Sequence, residues 1–232
     1  MKVITALDFD NTDQAKHMVK AIGPCMEYYK VGLELFVSSG PSIIDWLKSE
    51  NKKVFLDLKF HDISNTTSKA IIAATKYGAD IINIHAQGGY DMMKLCAEAL
   101  EDTCSKQNIN KPLLIAVTLL TSLDQSYLKS LNIQYTVQDY VLELANKAKQ
   151  AGLDGVVSSA QETPLIKKQI STEFITVTPG IRTKSSALND QKRIVTPQDA
   201  KRLGSDYIVV GRPITHAEDP AFAAYEILKE IQ

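Results

Sequence analysis

VFLDLKFHDISNT, residues 54–66, reads first as a strand and then as something more. Val54, Phe55, Leu56 and Leu58 put apolar residues on both faces, the pattern of a parallel strand covered on both sides. Asp57, Lys59 and Asp62 interrupt it toward its C-terminal end. Side chains alternate along a strand, so Asp57 and Lys59 share one face with Cα atoms ~6.5–7 Å apart. Leu56, Leu58 and Phe60 share the other.

Outward from this stretch, similar β-rich runs recur. They are VITALDF (3–9), YYKVGLEL (28–35), KVFLDLKF (53–60), DIINIHA (80–86), LLIAVTLL (113–120), GVVSSA (155–160), FITVTPG (174–180) and YIVVGRP (207–213). Segments of helical period lie between them. TDQAKHMVKAIG (12–23) opens on Thr12 as N-cap and closes on Gly23. PSIIDWLKSEN (41–51) begins with Pro41. TSKAIIAATKYGAD (67–80) ends at Gly78, and TVQDYVLELANKAKQAGLD (136–154) stops at Gly152. TPQDAKRLGSD (196–206) has Thr196 as cap, Pro197 first in the helix and Gly204 after it. Strands alternating with helices, with no low-complexity linker, predict an α/β fold, a single (β/α)8 TIM barrel spanning residues 1–232. A doubly wound open sheet is the second choice, because no Gly-x-Gly-x-x-Gly follows any strand.

Composition narrows the function classes. A chain of 232 residues is ordinary for one such barrel. The formal net charge of −1 provides no overall basic field for nucleic acid or an anionic membrane, so an anionic substrate needs a local site. Cys25, Cys96 and Cys104 are odd in number and form no Cys-x-x-Cys, which predicts a reduced, cytoplasmic protein without a disulfide framework. The start, MKVITALDFD, has no signal-peptide pattern, and no apolar run approaches the ~20 residues that span a bilayer.

In a barrel of this kind chemistry sits at the C-terminal ends of the strands. Asp8 ends the first run, Lys30 lies in the second, and Asp57, Lys59 and Asp62 come from the third. Three acids and two lysines around one opening are costly to bury unless paired, and stability alone rarely calls for them. A structural ion-pair network at the barrel mouth is the plain alternative.

Asp8 in ALDF, Lys30 in YKVGLEL, the run DLKFHDISNT, PGIR at 179–182 and VGRPI at 210–214 together resemble the orotidine 5′-monophosphate decarboxylase family over the whole chain. The chain departs from the family pattern at Ser64, where proline is usual, and in the loop TKSSALNDQ after PGIR. The resemblance implies conversion of orotidine 5′-monophosphate to UMP, a carboxy-lyase step of pyrimidine synthesis, without metal or cofactor. It implies that Lys59 stabilises the C6 carbanion and donates the proton, with Asp57 and Asp62 holding it charged and aimed. Lys30 would bridge Asp57 and a ribose hydroxyl, and Asp8 would accept from a ribose hydroxyl. It also implies a homodimer with shared active sites, in which Asp62 and Thr66 reach into the partner's site.

Phosphate sites in such barrels follow the seventh and eighth strands. Gly180-Ile181-Arg182 and Gly211-Arg212 fall there, with arginine to fork onto phosphate oxygens. The resemblance adds Gln191 as a phosphate-loop contact and makes residues 183–192 a lid. The resemblance also implies that Thr121 and Ser122, after the fifth run, contact the base; on the residues alone they could equally cap the turn. His85 ends the fourth run and reads more readily as a core residue than as a direct participant. Gly88-Gly89 either loosens a loop or approaches a ligand.

Two other functions remain open on the residues alone. One is a magnesium-dependent lyase or aldolase acting on a sugar phosphate, with Glu34 joining Asp57 at the metal. The other is a non-catalytic nucleotide-binding barrel.

Overall fold

VFLDLKF belongs to strand β3, Lys53–Phe60, whose first half is buried from Val54 to Asp57. The computed structural model describes residues 1–182 and 195–232. In chain order the other strands are β1 (Lys2–Leu7), β2 (Tyr28–Gly32), β4 (Ile81–His85), β5 (Leu113–Val117), β6 (Gly155–Val157), β7 (Ile175–Thr178) and β8 (Tyr207–Val210). Each pairs in parallel with the next, and β1 pairs with β8 to close the barrel.

Alternation along these strands builds two cores. Ile4, Tyr28, Phe55, Ile81, Ile115 and Val209 are among the residues that fill the barrel interior. Their sequence neighbours Val3, Val54, Leu56, Ile82, Leu114 and Ile208 face outward into a larger core beneath the helices. The helices are α1 (Thr12–Ile22), α2 (Leu33–Ser39), α3 (Ser42–Ser49), α4 (Ser64–Thr75), α5 (Tyr90–Gln107), α6 (Gln125–Ser130), α7 (Val137–Gln150), α8 (Thr163–Gln169), α9 (Pro197–Arg202), α10 (Arg212–Thr215) and α11 (Pro220–Glu230). No helix among the described residues is long and apolar enough to cross a membrane.

A repeated device staples the N-terminal face. Asp80, Asp154 and Asp206 each immediately precede a strand, β4, β6 and β8. Their carboxylates accept from the backbone N–H of Val54 (2.8 Å), Leu114 (2.8 Å) and Thr176 (2.7 Å), in the strand before. Their own N–H groups donate to the carbonyls of the same three residues. Two residues earlier stand Gly78, Gly152 and Gly204, with φ of 76°, 88° and 88°, the left-handed turn that glycine adopts without strain.

The structure corrects several boundaries. β2 ends at Gly32, and Leu33–Ser39 is a helix with Leu33 and Glu34 exposed and Leu35 buried. Leu33–Leu35, expected as the end of a strand, form the first turn of this helix. The N-cap of α1 is Asn11, whose side chain accepts from Gln14 N–H, and Thr12 is the first helical residue. α4 begins at Ser64, because Thr67 lies inside its first turn and hydrogen-bonds back to Asp62 N–H and C=O, both at 3.1 Å.

Candidate active site

Two positions beyond each inward apolar residue, four strands place a polar one at the C-terminal mouth. Ala6 leads to Asp8, Tyr28 to Lys30, Phe55 to Asp57 and Ile81 to Asn83. The charges alternate in a connected row. Lys30 Nζ lies 2.8 Å from Asp8 Oδ1 and 3.5 Å from Asp57 Oδ2, and Lys59 Nζ lies 2.7 Å from Asp57 Oδ1. Lys30 and Asp57 are the buried inner pair, with exposures of 9% and 8%. Asp8 and Lys59 stand at the opening. Gly32 makes room for the row, since a Cβ there would come within 2.9 Å of Lys30 Nζ.

Pairing decides the charge states. Burial disfavours the ammonium of Lys30, but Asp57 and Asp8 outweigh it and raise its pKa above the ordinary lysine value. Burial likewise disfavours a charged Asp57, yet Lys30 and Lys59, with hydrogen bonds from Lys59 and Asn83, hold its pKa below the usual carboxylate value.

Lys59 does not reach the cavity by simple strand alternation. Its φ is +50°, and the β3–β4 register shifts between Leu56 and Phe60. The irregularity bends the strand end and re-aims the side chain, as bulges beside active sites do. Asn83, which the sequence reading passed over, receives the Lys59 N–H at 2.8 Å and donates to Asp57 Oδ1 at 2.6 Å.

The row forms one wall of a cavity of about 330 Å³. Phe55, Val117, Val157 and Val209 supply apolar surface to the same cavity, and Thr121, Ser122 and Ser158 line it as well. Gly180 and Arg182 after β7, and Gly211 and Arg212 after β8, also line it. Arg182 Nη1 donates to the Ile181 carbonyl at 2.8 Å. Thus Asp8, Lys30, Asp57, Lys59, Thr121, Ser122, Arg182, Gly211 and Arg212 come together in one place. Asp62 and Thr66 do not line it. Both are exposed after β3, and Asp62 Oδ1 accepts from Ile63 N–H at 2.6 Å. Gln191 and the expected lid, 183–192, lie outside the described residues.

His85 also stays off the cavity lining, stacked on His61 with ring centroids 5.2 Å apart. Its partial burial, with His61 and Lys59 nearby, lowers its pKa to about 4. A side chain at Gly88 would meet the flexible end of the Met92 side chain on α5, which would have to shift. Glu34, the second acid of the metal-dependent alternative, is exposed in α2 and does not line the cavity.

The profile of the orotidine 5'-phosphate decarboxylase / HUMPS family matches residues 1–227. The chain belongs to that family. Among its relatives, a Pseudoalteromonas atlantica protein named orotidine 5'-phosphate decarboxylase is 50% identical over 222 residues, 96% of this chain and 94% of its own. A protein of the same name from Idiomarina loihiensis is 48% identical over 233 residues, covering 99% and 97% of the two chains. The crystal structure of orotidine 5'-phosphate decarboxylase from Lactobacillus acidophilus matches with a TM-score of 0.88 at 39% identity, covering 100% of this chain and 99% of that one. Family membership thus agrees with the motifs that carried the resemblance.

Proposed function

We propose that this chain removes CO₂ from C6 of orotidine 5'-monophosphate to give UMP, and that the row Asp8–Lys30–Asp57–Lys59 does the work. One observation carries the reading. A single cavity has an ammonium paired with a buried carboxylate on one wall and two arginines in the loops after β7 and β8. The first suits a reacting carboxylate and the second a phosphate. The names of the relatives supply the nucleotide.

The chemical difficulty is electrostatic. When the C6–carboxylate bond breaks, its electron pair stays on C6 in the plane of the ring, where no carbonyl π system can accept it. A fixed positive charge in a water-poor site lowers the energy of that state. Lys59 is that charge, and it then gives a proton to C6 and recovers one from solvent. Asp57 keeps Lys59 aimed and crowds the substrate carboxylate, the lesser of its two effects. Lys30 and Asp8 take the ribose hydroxyls, Thr121 and Ser122 the pyrimidine edge, and Arg182, Gln191, Gly211 and Arg212 the phosphate. No metal or cofactor is called on.

The protein works as a homodimer in which Asp62 and Thr66 complete the partner's site. Their exposure on either side of Ile63, itself 72% exposed, supports this. Mixing inactive Lys59→Ala and Asp62→Ala dimers should restore activity through one intact hybrid site, and no recovery after verified subunit exchange would refute sharing. One domain, with the sheet closed by its first and last strands, and a cytoplasmic location, in keeping with three free thiols, complete the reading.

The decisive assay follows the ultraviolet absorbance of orotidine 5'-monophosphate with and without EDTA. Turnover unaffected by chelator supports the reading. Turnover abolished by chelator favours a metal-dependent lyase, and UMP binding without turnover favours a retired barrel.

A further inference from the structure

Four non-glycine residues among those described have positive φ: Asn51, Lys59, Asn108 and Asn132. Three are asparagines, which tolerate the left-handed region through local side-chain hydrogen bonds. Lys59 has no such means, and a residue held there costs on the order of 1–3 kcal/mol unless its surroundings enforce it. The ladder between β3 and β4 shows what does. It runs from Leu56 opposite Ile82 directly to Phe60 opposite Ile84, leaving Asp57, Leu58 and Lys59 across from Asn83 alone. In that gap the Asn83 side chain takes the place of the backbone. Its Oδ1 accepts the Lys59 N–H at 2.8 Å and its Nδ2 donates to Asp57 Oδ1 at 2.6 Å. The same Asp57 oxygen receives the Lys59 ammonium at 2.7 Å. Asn83 is fully buried and absent from the cavity lining, behind the row that faces the cavity.

We propose that Asn83 is a positioning residue for the decarboxylation. One planar amide, with an acceptor and a donor on the same group, locks the Lys59 main chain in its left-handed turn and fixes the Asp57 oxygen that aims the ammonium. A carboxylate offers no donor to Asp57, and an aliphatic side chain offers neither contact. This rests on the role given to Lys59 above.

Two variants test it. Asn83→Leu keeps the branched shape and removes both contacts; kcat should fall about 10²-fold, the cost of a reacting group displaced by roughly 1 Å, with KM within a few-fold of wild type. Asn83→Asp keeps the acceptor for Lys59 N–H but can donate to Asp57 only while the two carboxyls share a proton. The charged groups facing that pair are Lys59 on β3 and Lys30 on β2, with His85 further along β4, while β5 presents Ile115 beside Asn83. The kcat of Asn83→Asp should therefore approach wild type at the acid end and fall as pH rises, on a profile the wild type lacks. Should Asn83→Leu fail to fold, the Asn83→Asp profile carries the test. A kcat for Asn83→Leu within threefold of wild type, or parallel pH profiles, overturns the proposal. A crystal structure of either folded variant gives a readout independent of turnover. Lys59 leaving positive φ, or losing its contact with Asp57, supports the proposal, and unchanged geometry in Asn83→Leu refutes it. If the wild type itself fails to turn over orotidine 5'-monophosphate, the functional reading falls, and this structural comparison still decides whether Asn83 sets Lys59.

Discussion

Asp57 holds its charge although it is 8% exposed, because Lys30 and Lys59 flank it and Asn83 donates to it. Buried charge survives only when paired in this way. His85 shows the opposite outcome. Burial, with His61 and Lys59 nearby, drops its pKa from 6.5 to about 4. The unfolded chain therefore binds a proton that the folded chain refuses between those values. The resulting stability is complete above pH 6.5 and declines as pH falls toward 4, by about 1–2 kcal/mol for a partly buried ring. Urea midpoints of His85→Gln should fall less steeply than wild type across this window, and equal slopes would contradict the assignment. The charged residues were legible in the sequence because each breaks an apolar strand pattern. Asn83 was not, since an uncharged amide in IINIH raises no such alarm. Counting inward positions from Ile81 finds it. Gly32 was hidden for another reason: its role is the space left for an ammonium of another residue.

At the scale of elements, the strand–helix alternation was readable and the ends of the strands were not. Runs such as LLIAVTLL continue past the last ladder pair because the segments that line the cavity are themselves apolar: β5 stops at Val117, while Leu119 and Leu120 line the site. α5 escaped notice although it has 18 residues, because many of its exposed positions carry charge and its buried face is broken up by Cys96 and Cys104. Three of the four glycines that read as helix stops, Gly78, Gly152 and Gly204, are half of a larger device, whose aspartates bind a neighbouring strand that sequence spacing does not reveal. Asp154 is the simplest to test. Asp154→Ala leaves Leu114 N–H without its side-chain acceptor and should cost about 1–3 kcal/mol in urea unfolding, with Asp154→Asn losing less. An unchanged midpoint for the alanine variant would remove the staple from the account of stability.

For the whole molecule, barrel closure brings residues from both ends of the chain to one cavity. Asp8 follows β1, and Arg212 follows β8, and these strands are neighbours in the closed sheet. Binding at the phosphate end can then serve chemistry at the ring. Arg212→Ala should lower kcat/KM by roughly 10- to 150-fold, equivalent to about 1.5–3 kcal/mol of charged hydrogen bonding. With the nucleoside lacking phosphate, wild type and variant should become equal; a persistent difference would mean that Arg212 acts elsewhere. The central claim is narrower than the whole site: the ammonium of Lys59 stabilises the electron pair left on C6. Steady-state decarboxylation by Lys59→Ala, with folding verified by circular dichroism and UMP binding retained, tests it most directly. The account predicts a fall in kcat of at least about 10³-fold, from the joint loss of electrostatic stabilisation and proton donation. A variant that keeps turnover within tenfold of wild type would contradict it.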